Sequence, residues 1–363
     1  MRTVPPPGLV NHGHWQEHSL AADSGQRLFL PTSAPFLTAT DASGPVDRAV
    51  KAVGTLPPMS LPDTEPRFES VQAVRDGLRD AAYLADEGIA GVVYLADRLG
   101  KPVLVEGPAG TGKTQLAKSV AEMTGARLIR LQCYEGLDES KALYEWNYKK
   151  QLLRIQAERH DQTTWSDVED DIFSDEFLLT RPLLEAIRSP DPVVLLIDEV
   201  DRVEVETEAL MLEILSDYQV SIPELGTIVA TQIPLVFLTS NATRELSEAL
   251  KRRCLYLHVD YPDLEREKEI VRTKVPDISE ALADQVARIV RSLRQLDLKK
   301  APSVSETLDW ARTLILLGVT EIDAETATST ANILLKYQSD IAKAVRELSS
   351  DQSAMKAVAP GPR

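Results

Sequence analysis

The sequence contains 363 residues, which at roughly 150 residues per domain predicts two or three folded domains. Hydrophobic residues make up 43% of the chain, and 56 acidic against 40 basic residues give a net charge of −16. A surface of this sign disfavours nucleic acid as a partner, and no apolar run approaches the roughly 20 residues that a membrane-inserted helix needs.

The first 67 residues are predicted to be a disordered, proline-rich arm. Ten of the 22 prolines lie within the first 66 residues, and such a segment has too few aliphatic side chains to offset the entropy cost of ordering. It also lacks the apolar stretch of a secretory signal. The two cysteines, Cys133 and Cys254, have no partner at a metal-binding spacing. We therefore expect a cytoplasmic protein in which both are free core thiols.

Two helices followed by a parallel sheet are predicted for residues 68–262. Apolar residues recur every three or four positions from Phe68 to Gly100, which is the spacing of amphipathic helices. Five short apolar runs then alternate with longer amphipathic segments, a pattern that predicts an α/β fold with a five-stranded parallel sheet. The runs are Val103–Val105, Leu128–Leu131, Val193–Ile197, Leu235–Leu238 and Leu255–Val259.

A small all-helical domain is predicted after the last strand. Strand signals stop after Tyr261, and Pro262 followed by acidic residues opens a helix that should end before Pro276. Three further amphipathic segments follow, over about 278–298, 303–317 and 324–348. The expected domains are the arm at 1–67, the α/β core at 68–262, the helical domain at 263–350 and a flexible tail at 351–363.

A glycine-rich turn follows the first predicted strand and precedes an amphipathic helix. It fits the pattern G-x-x-x-x-G-K-[ST], in which backbone N–H groups point inward at phosphates and the helix N-terminus adds partial positive charge. Lys113 is expected to reach the β- and γ-phosphates of a nucleoside triphosphate, and the Thr114 hydroxyl to bind Mg²⁺. The predicted binding residues are Gly107, Pro108, Ala109, Gly110, Thr111, Gly112, Lys113, Thr114 and Gln115.

The third and fourth predicted strands end in residues suited to hydrolysis. The run Val193–Ile197 leads into Asp198 and Glu199, at the edge where open α/β sheets bind ligands. Asp198 is expected to hold Mg²⁺, and Glu199 to orient or deprotonate the water that attacks the γ-phosphate. Asn241 follows the fourth strand and would hold the same water, although asparagine after a strand is also a common turn former.

These motifs resemble those of the AAA+ ATPases, and within them the MoxR family. The resemblance covers roughly residues 68–348. The MoxR-like features are Ile197–Arg202, the helix Glu208–Leu215, the hairpin start Gln219–Pro223 and the segment Asp260–Pro262. A finer resemblance, to the subgroup that accompanies carbon monoxide dehydrogenase maturation proteins, is carried by Leu131–Asp138 and Leu143–Tyr148.

The resemblance implies an ATP-hydrolysing ring, commonly hexameric, that remodels or matures a client protein. ATP would bind with Mg²⁺ between neighbouring subunits, and the helical domain would be the lid over it. Such ATPases usually have a von Willebrand factor A domain partner and often activate a metalloenzyme. The segment from Tyr144 to about Ile155 looks like the family's insert in the second core helix, and Val220–Val229 looks like its hairpin. Both would face the client or the pore.

Two cationic positions follow from the same resemblance. Arg253 matches the arginine finger that a neighbouring subunit inserts to neutralise transition-state charge, with Arg252 as the alternative. Where MoxR-like lids carry a further arginine, this chain has Ser305, which would weaken the contact between the lid and the γ-phosphate. Arg312, seven residues later, could face the same way along the helix.

A nucleotide-gated scaffold with little turnover is the main alternative. It would bind ATP, assemble and recruit partners; Ser305 slightly favours it, whereas Glu199 and Asn241 favour hydrolysis. A small-molecule kinase would need an acceptor pocket that the sequence does not identify, and the net charge disfavours a DNA-processing motor. The acidic run Asp167–Asp171 is interpreted as a solvated loop rather than a metal site.

Overall fold

The computed structural model describes residues 66–158 and 172–350. The predictions for the arm up to residue 65, for the acidic run Asp167–Asp171 and for the tail at 351–363 therefore lie outside the described residues. Arg67, assigned to the arm from the sequence, donates to Asp97 from its backbone N at 2.7 Å and from its guanidinium at 2.9 Å. These bonds anchor the start of the described chain.

The strands of the described chain form one large sheet and two small ones. In chain order they are β1 Val103–Glu106, β2 Arg127–Gln132, β3 Tyr144–Trp146, β4 Leu178–Thr180, β5 Val193–Asp198, β6 Gln219–Ile222, β7 Gly226–Val229, β8 Leu235–Ser240 and β9 Leu255–His258. The large sheet has the order β2-β5-β8-β1-β9, with every pair parallel. This confirms the predicted α/β fold. Because β5 and β8 are buried at every position, their sequences are nearly continuously apolar.

Helices cover both faces of the large sheet. In chain order they are α1 Val71–Asp80, α2 Glu87–Leu99, α3 Lys113–Thr124, α4 Glu139–Ala142, α5 Tyr148–Glu158, α6 Pro182–Arg188, α7 Val205–Asp217, α8 Glu248–Lys251, α9 Leu264–Lys274, α10 Glu280–Gln295, α11 Val304–Leu316, α12 Ala324–Leu334 and α13 Gln338–Ser350. Val194 and Leu196 of β5 pack with α1, α2 and α3, whereas Leu195 and Ile197 pack with α6 and α7. This alternation is the two-residue period of a strand. Among the described residues, no helix combines the length and the apolarity needed to cross a membrane.

Two small antiparallel sheets are formed by chain segments that lie between successive strands of the large sheet. Strand β6 pairs with β7, with Gln219 opposite Val229, so the predicted hairpin is confirmed. Strand β3 pairs with β4, with Trp146 opposite Leu178. This second pair was not predicted, because three-residue strands are too short to show an alternating pattern. The segment that begins at Tyr144 therefore forms a short strand followed by α5.

Helices α9 to α13 share a hydrophobic core of their own, so the all-helical region after the last strand is confirmed. Trp310 is its largest fully buried side chain, and the Trp310 Nε1 donates to the Thr330 hydroxyl at 2.8 Å. Satisfying the indole N–H lets the whole ring lie inside this core without an orphaned donor.

The amphipathic segment predicted over 324–348 is helical, but the chain divides it into two helices, α12 and α13. Leu335 ends α12 with an extended backbone, ψ 135. Asp340 in α13 accepts from the backbone N of Lys299 at 3.1 Å and of Lys300 at 3.2 Å. These bonds hold the start of α13 against the loop before α11. The chain therefore changes direction between α12 and α13, which one continuous helix would not do.

Both cysteines are free, as predicted. Cys133 is buried and Cys254 is half-buried. Burial raises the pKa of each thiol to about 12, so neither forms a reactive thiolate at neutral pH.

Candidate active site

The glycine-rich loop between β1 and α3 is shaped by backbone conformations that favour glycine. Gly107, Gly110 and Gly112 have φ values of 151, 76 and 96. A Cβ on Gly107 would lie 2.1 Å from the Val259 carbonyl oxygen, so no larger residue fits. Gly112 precedes α3, and no described side chain caps that helix. Its first amides are therefore left for an anion, and the loop fits the phosphates of a nucleotide.

Lys113 opens α3 and is buried, with a relative exposure of 6%. Its Nζ donates to the carbonyl oxygens of Gly107 and Pro108, each at 2.7 Å, and to the Asn241 Oδ1 at 2.9 Å. Burial lowers the pKa of the Lys113 ammonium, and the nearby carboxylates, Asp201 first among them, oppose this effect. The structure thus brings together the predicted lysine and asparagine although 128 residues separate them.

The other predicted loop residues lie around this lysine. The Thr111 hydroxyl donates to the Pro108 carbonyl at 3.0 Å, which tightens the turn. Ala109 is exposed at the tip of the loop. The Gln115 Nε2 donates to the Ser119 hydroxyl at 3.2 Å, and Gln115 also lines a cavity next to the loop.

Asp198 is the buried member of the acidic pair, with a relative exposure of 3%. Its Oδ1 accepts from the Thr114 hydroxyl at 2.9 Å and from the Thr239 hydroxyl at 2.5 Å. Its Oδ2 accepts from the Arg130 guanidinium at 2.5 Å. Thr114 and Asp198 therefore place a hydroxyl and a carboxylate side by side at the end of the phosphate loop. This is a hard-oxygen donor set that fits Mg²⁺.

Glu199 has a left-handed backbone, with φ 58, and its carboxylate has other partners than that of Asp198. Its backbone N donates to the Thr239 hydroxyl at 2.9 Å. Its carboxylate accepts from the Gln132 Nε2 at 3.1 Å and pairs with the Arg202 Nε at 2.9 Å. A left-handed non-glycine residue is strained and persists only where its surroundings hold it. The turn keeps two adjacent carboxylates in separate environments.

Sequence reasoning missed three polar residues that bind this acidic pair, namely Arg130, Gln132 and Thr239. All three lie on strands that pair with β5: Arg130 and Gln132 on β2, and Thr239 on β8. Gln132 is in register with Asp198. The available signal was a polar residue near the carboxyl end of an otherwise apolar strand.

A cavity of about 650 Å³ joins the phosphate loop to the helical domain. Tyr83, Gly110, Gln115, Ser305 and Arg312 are among its lining residues. A Cβ on Gly110 would come within 2.5 Å of Ser303, so the start of α11 lies directly on the loop. The cavity is large enough for the base and sugar of a nucleotide. Both sequence candidates on α11, Ser305 and Arg312, face it.

The two candidate finger arginines differ in their surroundings. Arg253 donates to the Ala249 carbonyl at 2.9 Å and to the Ser216 hydroxyl. Arg252 is exposed, and its side chain has neither an ion pair nor a hydrogen bond within the described part of the chain. Neither arginine lines the cavity beside the phosphate loop of its own chain.

Residues 102–254 match the AAA domain family, dynein-related subfamily. This stretch of the chain is therefore an AAA domain, and it contains the phosphate loop, the acidic pair and Asn241. The predicted assignment to the AAA+ class is confirmed at this level.

The curated proteins that are similar to part of this chain include two from different organisms. The gas vesicle ATPase GvpN of Haloferax mediterranei is 27% identical over 206 residues, which cover 54% of this chain and 57% of that protein. The match thus spans little more than half of the length of this relative. An uncharacterized protein of Staphylococcus aureus (strain USA300) is 25% identical over 225 residues, covering 60% of this chain and 76% of that protein.

Among solved structures, the chain is similar to the Thermotoga maritima RuvB Holliday junction branch migration motor. The identity is 17% and the TM-score 0.41, with 74% of this chain and 72% of that chain covered.

Proposed function

We propose that this protein is a Mg²⁺-dependent ATPase that works as a ring and remodels or matures a partner protein. The observation that carries this proposal is the convergence at one sheet edge of Lys113 with Asn241 and of Thr114 with Asp198. A cation, a hydroxyl, a carboxylate and an amide placed around an anion-binding loop are the groups that phosphoryl transfer needs.

Each residue then has a defined task. The loop amides and Lys113 bind the phosphates, and Thr114 and Asp198 hold Mg²⁺. An ion held by these two residues would supply positive charge beside the phosphates. Glu199 orients the attacking water and accepts its proton, and Asn241 holds that water against the γ-phosphate. Glu199 is suited to this task because its side chain is 34% exposed, next to the buried Asp198.

Replacing Glu199 with Gln tests hydrolysis directly. Turnover should fall by at least about 100-fold because the general base is lost, while ATP binding stays within about threefold because the phosphate loop is intact. Binding would be measured by calorimetry and turnover by phosphate release. Glu204→Gln, at an exposed acid five residues later, should change neither. Wild-type protein that binds ATP without measurable phosphate release would instead support the scaffold alternative, which Ser305 favours.

We also propose that the site is completed by an arginine of a neighbouring copy. Arg253 is the first candidate. Arg252 is the alternative, because its side chain has no partner among the described residues, whereas Arg253 is hydrogen-bonded within its own chain. Loss of the acting arginine should lower kcat by about 1,000-fold.

Mixing variants identifies the acting arginine. Glu199→Gln subunits still donate an arginine but do not hydrolyse, whereas subunits that lack the donor can hydrolyse beside a neighbour that supplies one. Mixing Glu199→Gln with Arg252→Ala, or with Arg253→Ala, should restore turnover only for the arginine that acts between subunits. No recovery with either variant would contradict an arginine supplied by a neighbour.

The partner is proposed from the MoxR resemblance and from its finer match to the carbon monoxide dehydrogenase subgroup. The partner would be a von Willebrand factor A domain protein and the client a metalloenzyme, in a complex that is commonly hexameric. Affinity isolation of the ATP-bound Glu199→Gln protein followed by mass spectrometry tests this. Failure to recover either kind of protein under several growth conditions would argue against maturation while leaving ATP hydrolysis untouched.

A further inference from the structure

We propose that Asp201 is a positioning residue that sets Asn241 in place for hydrolysis. The inference rests on the proposed ATPase function and adds a residue to its machinery. Asp201 lies three positions after Asp198, in the short 3₁₀ turn Val200–Arg202, and has a relative exposure of 3%. It belongs to the chain segment that also carries Glu199.

One carboxylate oxygen of Asp201 accepts three hydrogen bonds from the turn that follows β8. Its Oδ2 accepts from the Asn241 backbone N at 3.2 Å, from the Thr243 backbone N at 3.1 Å and from the Thr243 hydroxyl at 2.6 Å. Ala242, between these two residues, has a left-handed backbone with φ 56. A left-handed alanine is unfavourable and needs surrounding bonds to hold it. Asp201 supplies three of them.

The turn decides where the Asn241 side chain lies. β8 ends at Ser240, so the sheet no longer fixes the backbone at Asn241. Beyond that point the described bonds to the turn come from Asp201 and from the Ser240 hydroxyl, which accepts from the Ala242 N at 3.0 Å. With the backbone held in this way, the Asn241 Oδ1 lies 2.9 Å from the Lys113 Nζ. Asp201 thus acts on the phosphate site through Asn241.

An ionised carboxylate suits this task better than a neutral side chain. Burial opposes ionisation of Asp201, but the bonds from Thr243 and Asn241 outweigh burial and lower the pKa of the carboxyl. Three donors converging on one oxygen are bound more tightly by a charged acceptor. The second oxygen, Oδ1, has no hydrogen-bond partner among the described residues. All the bonding of this carboxylate is therefore directed at the turn.

A double-mutant cycle in the full-length protein separates positioning from a general contribution to stability. Asp201→Ala and Asn241→Ala are each expected to lower kcat by about 10-fold to 100-fold, with the ATP Kd within about threefold of wild type. The double variant should be no slower than Asn241→Ala alone, because Asp201 acts through Asn241. Asp201→Asn, which keeps an acceptor oxygen but loses the negative charge, should recover part of the rate.

Asp340 provides the matched control. It is another buried carboxylate that holds two backbone amides, those of Lys299 and Lys300, but it lies in the helical domain. Asp340→Ala should lower the free energy of unfolding without changing kcat per folded molecule. Combined with Asn241→Ala, it should leave the kcat of Asn241→Ala unchanged. If Asp201→Ala fails to fold, Thr243→Val removes only the 2.6 Å donor and should show the same dependence on Asn241.

The outcomes separate the two proposals. Multiplicative losses in the double variant, or a wild-type kcat in Asp201→Ala, would overturn positioning while the ATPase function stands. Wild-type protein that neither binds ATP nor releases phosphate would overturn both. Equal rates for Asp201→Asn and Asp201→Ala would also count against positioning, because the acceptor oxygen would then have no role.

Discussion

The α/β core and the helical domain both bury charged side chains, but they complete the bonding of those side chains differently. In the helical domain, the Glu267 carboxylate binds both terminal nitrogens of Arg294 at 2.6 and 2.7 Å and accepts from the Thr307 hydroxyl at 3.1 Å. In the core, the direct partners of the Lys113 ammonium among the described residues are two carbonyl oxygens and one amide oxygen.

The difference separates a structural use of buried charge from a binding use. A buried ion pair that satisfies itself fixes the packing of the helices around it. A buried ammonium without a direct anionic partner is held ready for an anion from outside, and the strained backbones of Glu199 and Ala242 lie within the same site. Glu267 should therefore affect stability, and Lys113 should affect ligand binding.

The largest effect is expected from Glu267→Ala in the helical domain. Glu267 has a relative exposure of 1%, and burial raises its pKa even though Arg294 and Thr307 hold the carboxylate. Removing it leaves Arg294 buried without its partner, which should lower the free energy of unfolding by about 3–5 kcal/mol. Urea titration would measure the change, and hydrogen exchange should locate it in α9 to α11.

Glu280→Ala is the matched control in the same domain. Its side chain is 68% exposed and pairs with Arg272 at 3.3 Å and with Lys268 at 3.8 Å. Exposed pairs contribute less than about 1 kcal/mol. Equal losses for Glu267→Ala and Glu280→Ala would show that the buried pair does not hold the helices together.

Lys113→Met should give the opposite result in the core. ATP binding should weaken by about 100-fold, because charge-assisted bonds to phosphate are lost. The free energy of unfolding should fall by less than about 1 kcal/mol, because an ammonium without a direct anionic partner adds little net stability. Calorimetry and urea titration would report the two quantities. Lys118→Met, at an exposed lysine of the same helix, should change neither, and a large loss of stability in Lys113→Met would remove the contrast between the regions.

The parts of the site that the sequence could predict are those formed by residues close together in the chain. The phosphate loop and the pair Asp198 and Glu199 are local patterns, each carried by a few consecutive residues after an apolar strand. Arg130 contacts Asp198 across 68 residues and Gln132 contacts Glu199 across 67. Only the parallel register of β2 and β5 joins them, and no local spacing encodes that register.

The helical domain was predicted well in outline for a similar reason. Four amphipathic segments could be seen because each repeats its apolar residues along one face. The break between α12 and α13 could not, because it depends on Asp340 binding the amides of Lys299 and Lys300, about 40 residues earlier. Apolar periodicity shows which face of a helix is buried and carries no information about such a bond.

The smallest expected effect lies where the two regions meet. Arg312 belongs to α11 in the helical domain, but it lines the cavity beside the phosphate loop. Its side chain is 51% exposed and pairs with Asp309 at 3.2 Å, so solvent screens its charge. Arg312→Ala should weaken ATP binding by about threefold to tenfold, equivalent to about 0.7–1.4 kcal/mol, and leave stability unchanged. Arg291→Ala, at an exposed arginine of α10 outside the cavity, is the control for loss of positive charge. If both variants bind ATP as wild type does, the helical domain supplies no cation through Arg312, and its part at the site is limited to the packing of α11 on Gly110.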